Sequence, residues 1–116
     1  DYLEQICQTP SCNMVLIDRG EMGINIPFEK LGLIQKTIIN TAKKYNKAVI
    51  VSTQILESTM NNYIPNRSEI TDLTNIVLDG AAGIMLCRET GMGLRPAYSI
   101  SVAKKIIQAV ENNKYI

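Results

Sequence analysis

Three short apolar runs, Met14-Val15-Leu16-Ile17, Ala48-Val49-Ile50-Val51 and Gly83-Ile84-Met85-Leu86-Cys87, start 34 and 35 residues apart. None alternates with polar residues, which is how a strand buried on both faces reads in a parallel sheet. A strand with its crossover helix occupies about 30 residues or more, so this spacing is the beat of consecutive βα units.

The stretches between the runs agree. Residues 2–8 read as the tail of a preceding helix. Pro27 is suited to a helix's first turn, where its missing N–H costs nothing. Residues 29–44 then carry Leu33, Ile34 and Ile38 at helical offsets, with Lys30, Lys36 and Lys43 elsewhere around the wheel. Asn46-Lys47 reads as the turn into the second strand, and residues 54–60 as a short helical turn. Ser68 is the expected cap of a helix running to Leu78, closed by Asp79-Gly80. Pro96 opens a last helix with Ile100, Ala103, Ile107 and Val110 on one face. The order is α-β-α-β-α-β-α, with no linker or low-complexity tract.

Two architectures fit that order: a small doubly wound sheet, or a contiguous piece of a (β/α)8 barrel. A whole barrel takes about 250 residues, and this chain has 116. Pattern alone does not choose between them. The chain starts at Asp1 rather than Met, which points to a piece of something longer.

Composition narrows the function. Twelve Lys+Arg against 11 Asp+Glu leave a formal charge of +1, which gives no reason to expect a nucleic-acid partner. No apolar run approaches the ~20 residues of a membrane span, and Asp1-Tyr2-Leu3-Glu4 is no signal-peptide start. With no His, the chain lacks the usual general base near neutral pH and the commonest metal ligand. Cys7, Cys12 and Cys87 form no C-x-x-C pair, so a reducing, cytoplasmic setting is expected, with Cys87 a buried, inert thiol.

In either architecture ligands gather at the C-terminal ends of the strands. Those ends read Asp18-Arg19-Gly20-Glu21-Met22-Gly23, Ser52-Thr53-Gln54 and Arg88-Glu89-Thr90-Gly91-Met92-Gly93. In the first, glycines flanking a carboxylate offer backbone N–H groups to an oxyanion, with Asp18 or Glu21 placed to hold a divalent cation and Thr53 to add a donor. In the third, Gly91 and Gly93 read as a flexible loop beside Glu89 and Arg95. Each has a plainer explanation: glycines for turn geometry, an Asp18–Arg19 ion pair, Thr53 as a helix cap.

Taken together, these loops resemble the second half of the catalytic barrel of pyruvate kinases. Residues 13–27 are similar to the family's I-M-V-A-R-G-D-L-G-V-E-I-P, and residues 52–58 to A-T-Q-M-L-E-S. Glu29-Lys30, Gln35-Lys36, Arg67, Glu69, residues 75–80, Ile84-Met85-Leu86 and Glu89-Thr90 continue the match in order. The resemblance implies the sixth to eighth βα units of a parallel (β/α)8 barrel, with residues 1–116 forming one partial barrel domain. It implies transfer of a phosphoryl group from phosphoenolpyruvate to ADP in glycolysis, giving pyruvate and ATP. Mg2+ (or Mn2+) and K+ are the cofactors it implies, with the K+ site outside this chain, and a cytoplasmic homotetramer is the implied parent. It also assigns roles. The backbone amides of Gly20 and Glu21 take the substrate carboxylate, the Glu21 carboxylate is a ligand of the divalent ion, and Thr53 contacts substrate. No catalytic residue falls within the chain, because the family's catalytic lysine lies on the strand before residue 1.

Among the departures from the family pattern, those at Glu21, Arg88 and Met92 bear on the implied site. Glu21 stands for Asp, one methylene longer where Mg2+ requires strict geometry. Arg88 stands for Gly, and Met92 for a lysine that serves the nucleotide phosphates, with Arg88 or Arg95 as candidates to replace it. Because the catalytic lysine falls outside it, the isolated chain is expected to be inactive. The alternative is a truncated, catalytically dead paralogue acting as an interaction module.

Overall fold

In the computed structural model, which describes residues 2–113, the three runs form β1 (Met14–Asp18), β2 (Ala48–Ser52) and β3 (Gly83–Met85). Asp1, where the chain starts, lies outside the described residues, as do residues 114–116. The strands make one parallel sheet in the order β1-β2-β3. Met14 lies opposite Ala48 and Asp18 opposite Ser52, while Ile50 pairs with Gly83 and Ser52 with Met85. The last strand is two residues shorter than its apolar run. Cys87 instead opens a short helix, is only partly buried, and gives its N–H to Glu89. The fully buried thiol is Cys7, which desolvation holds above the usual thiol pKa, with Cys12 nearby adding to the shift.

Among the described residues six α-helices accompany the strands: α1 (Tyr2–Gln8), α2 (Arg19–Asn25), α3 (Leu31–Lys44), α4 (Arg67–Asp79), α5 (Arg88–Gly91) and α6 (Pro96–Glu111). Pro27 precedes a 3-10 turn, Phe28–Lys30, rather than the α-helix itself. Helix α4 begins two residues earlier than Ser68 as its cap would place it. Asn66 is its N-cap, and Glu69 reaches back to the Asn66 N–H at 3.3 Å. It ends on Gly80, whose φ of 102° is open to glycine at little cost. The buried face of α3 is Gln35, Ile39 and Ala42, one step round from the expected stripe, and Leu33 is exposed.

One face of the sheet is covered. Ile17, Val49 and Val51 join Ile39, Ala42, Leu73, Ile76 and Ala103 in a single core. Among the described residues none covers the other face fully, contrary to the reading of strands buried on both sides. Met14, Leu16 and Met85 are 58%, 51% and 43% exposed. The apolar sequence of β1 is that of a strand with two neighbours in the third dimension, and the chain provides only one. In a barrel that second face points inward and packs against other strands. No described helix is long and apolar enough to cross a membrane.

Candidate functional site

The polar ends of β1 and β2 lie side by side, because parallel register brings Asp18 opposite Ser52. Asp18 then turns the chain into α2 as its N-cap. Its Oδ1 accepts from the Gly20 N–H at 3.0 Å and from the Glu21 N–H at 3.3 Å. The same oxygen accepts from the Thr53 hydroxyl at 3.1 Å across the sheet. Three donors from two loops thus converge on one carboxylate oxygen. Gly20 sits close against this group: a Cβ there would lie 3.3 Å from Asp18 Oδ1 and from Thr53 Cγ2.

Arg19 fixes the second loop. It is not paired with Asp18. Its Nη1 donates to both oxygens of Asp72 on α4, at 3.0 and 2.9 Å. Its Nη2 reaches the Thr53 carbonyl at 2.7 Å, and Nε donates to the Thr53 and Ser52 carbonyls at 3.1 and 3.3 Å. The grip matters because Thr53 and Gln54 have φ of 80° and 55°. Left-handed backbone is uncommon for any residue but glycine and a genuine outlier for a β-branched one. It costs on the order of 1–3 kcal/mol and persists only where neighbours over-determine it. Thr53 is therefore not a helix cap but a strained residue whose hydroxyl is aimed at the end of β1.

From the third loop, Glu89 supports the same segment. Only 1% exposed, it accepts the Leu56 N–H at 2.9 Å and the Cys87 N–H at 3.0 Å. The glycines here form a tight turn rather than a flexible loop. A Cβ on Gly93 would come within 2.3 Å of the Glu89 carbonyl oxygen, so only glycine fits. Both candidate cations have a partner within the chain. Arg88 is paired with Glu57 at 2.8 Å, and Arg95 lies over the Tyr63 ring at 3.8 Å from its centre. Met92 is exposed and brings no charge.

Glu21 is exposed, and its carboxylate makes no hydrogen bond among the described residues. Among the described residues no group of three or more Cys, Asp or Glu side chains is placed to hold a metal. Mg2+ commonly takes one or two protein carboxylates and completes its shell with water and phosphate oxygens. The donor set on this chain therefore fits a share of such a site and not the whole of one. A concavity of about 640 Å3 lies between β3 and α6, reaches the third loop at Thr90, and is lined by Ile84, Leu86, Ile100 and Ile107 together with Lys104 and Glu111. It is the mostly apolar flank of an open sheet edge.

Gly20, Glu21 and Thr53 lie side by side at the ends of β1 and β2, whereas local pattern does not mark Arg19 and Glu89 as the residues that hold the second loop. Helix α2 is likewise not among the expected elements. The signal for that helix was present: Asp18 followed three residues later by Glu21 is the pattern of a capping box.

Comparison with known proteins gives one answer. Residues 2–100 match the pyruvate kinase barrel domain family. The pyruvate kinase of Thermotoga maritima is 42% identical over 97 residues, covering 84% of this chain and 21% of that protein. The pyruvate kinase of Thermoplasma acidophilum is 37% identical over 112 residues, or 97% of this chain and 20% of the relative. A crystal structure of a pyruvate kinase from Cryptosporidium parvum superposes with a TM-score of 0.83 at 35% identity, covering 89% of this chain and 21% of that one. The chain spans about a fifth of the length of these relatives.

Proposed function

Since the chain belongs to the pyruvate kinase family and carries part of its barrel domain, we propose that residues 1–116 are the sixth to eighth βα units of an enzyme that transfers a phosphoryl group from phosphoenolpyruvate to ADP. The parent works in the cytoplasm as a homotetramer, and the isolated chain is inactive because the catalytic lysine lies on a preceding strand. The observation that carries this reading is the convergence of the Gly20 and Glu21 N–H groups and the Thr53 hydroxyl on a single carboxylate oxygen. Such a seat grips the carboxylate of phosphoenolpyruvate and orients the rest of the substrate along the strand ends. Phosphoryl transfer asks the protein mostly for positioning and charge neutralisation, and these residues supply positioning. Glu21 holds one coordination position of Mg2+, which when bound neutralises phosphoryl charge. The K+ site belongs to residues outside this chain.

Grafting tests the assignment. Residues 2–100 replace the matched segment of the Thermotoga maritima relative, and pyruvate formation is followed in a coupled assay. The chimera is expected to turn over, and Thr53→Val and Glu21→Ala are each expected to lower kcat/KM by about 100-fold, the scale of losing one well-placed polar group. Unchanged rates in both variants overturn the site assignment. A second reading, a catalytically dead relative that acts as an interaction module, is favoured by one observation: the seat already holds the chain's own Asp18. A chimera that folds and assembles but forms no pyruvate, even with Asp18→Ala, selects it.

A further inference from the structure

We propose that Arg19 is a positioning residue for phosphoryl transfer: anchored on Asp72, it holds the backbone at Thr53 in the one conformation that aims the Thr53 hydroxyl at the end of β1. The inference rests on reading Thr53 as a substrate contact. Arg19 is the first residue of α2, yet its guanidinium gives its hydrogen bonds to the neighbouring loop and to α4. Nε donates to the Ser52 and Thr53 carbonyls, and Nη2 donates to those of Thr53 and Gln54. Nη1 is held by both oxygens of Asp72, which leaves the planar fork a single orientation. The side chain is only 14% exposed, so little water competes for these contacts.

The backbone at Thr53 makes this more than packing. A φ of 80° is unfavourable for a β-branched residue, and Gln54 follows it directly at 55°. Returning φ to the ordinary negative range swings Cβ about the N–Cα bond by more than about 100°. That turn carries the hydroxyl away from Asp18 Oδ1, which it meets at 3.1 Å. The three carbonyls that Arg19 holds belong to Ser52, Thr53 and Gln54, the segment that would have to turn. Strain of this kind persists only where neighbours over-determine it. A misplacement of about 1 Å can cost a reaction about 100-fold.

The chimera with the Thermotoga maritima relative carries the test, assayed well below its melting midpoint. Arg19→Lys and Asp72→Asn are each expected to lower kcat by about tenfold or more. Arg19→Lys has the larger effect, because lysine offers one point charge in place of a fork. KM for phosphoenolpyruvate is expected to stay, since the Gly20 and Glu21 N–H groups are untouched. Asp72→Asn preserves size and keeps the test open where Arg19→Lys fails to fold. Each variant is then combined with Thr53→Val. With the hydroxyl gone there is nothing left to misplace, so the second substitution is expected to cost less than about twofold more. Variants that melt lower but keep kcat, or that lose the same factor with and without the hydroxyl, overturn the positioning role and leave Thr53 in the site. Thr53→Val at the parent's rate, or a chimera that forms no pyruvate, overturns the reading of the site and the positioning role with it.

Discussion

Arg19→Ala is expected to lower the unfolding free energy by about 3 kcal/mol, with Arg19→Lys recovering less than half of the loss. The size follows from what the guanidinium holds. Its contact with Asp72 is partly open to solvent, at 14% and 32% side-chain exposure, and so contributes modestly. The larger share comes from the carbonyls of Ser52 and Thr53, which turn toward Arg19 at the start of a backbone segment with two consecutive positive φ values. Alanine leaves those carbonyls without a charged donor while the strain at Thr53 remains. Lysine restores one point charge but cannot reach Asp72 and two carbonyls together. In a domain of this size the loss corresponds to a Tm about 15 °C lower. Denaturant midpoints compared at one fixed, low protein concentration measure it, and a change under about 1 kcal/mol would show that Arg19 is not what holds the loop.

Glu89 holds the far end of the same loop, and Glu89→Ala is expected to cost about 3 kcal/mol, with Glu89→Gln costing about 2. The alanine strips the Leu56 and Cys87 N–H groups of a shared, charge-assisted acceptor. Leu56 is fully buried, so water does not replace the lost partner there. Glutamine keeps one oxygen for one of the two donors and presents its own N–H groups to the other. The order of the two variants is the informative readout in a chemical melt. Equal stability of wild type and Glu89→Gln would mean that the carboxylate's second oxygen contributes nothing to the contact between the loops.

How far the sequence reaches is clear from these residues. The strand positions were legible because three uninterrupted apolar runs on a regular beat leave few other folds, and all three strands form where the runs begin. The strand ends were legible as a site because hydroxyl, carboxylate and glycine residues cluster there with no apolar role to play. What pattern did not carry is which partner each polar group chooses. Arg19 is adjacent to Asp18 in sequence but bonds to Asp72, 53 positions away. Glu89 opens a helix and so looks like a first-turn acid, yet it is buried because two backbone N–H groups from different loops aim at it. The uncovered face of β1 was illegible for the opposite reason. Met14 and Leu16 are apolar and yet half exposed or more, and local pattern cannot distinguish a covered apolar residue from an uncovered one.

That uncovered face gives the most direct test of the central claim, that these three βα units are an open segment of a barrel completed by other strands. Exposed Met14, Leu16 and Met85 lie on one face, and both outer strands have an unpaired edge. Sedimentation velocity of the isolated chain over a hundredfold concentration range is the measurement. Self-association that grows with concentration is expected, receding when Leu16→Lys places a charge on the open face. A monodisperse 12.9 kDa monomer across the whole range, unfolding in one cooperative transition, would contradict it.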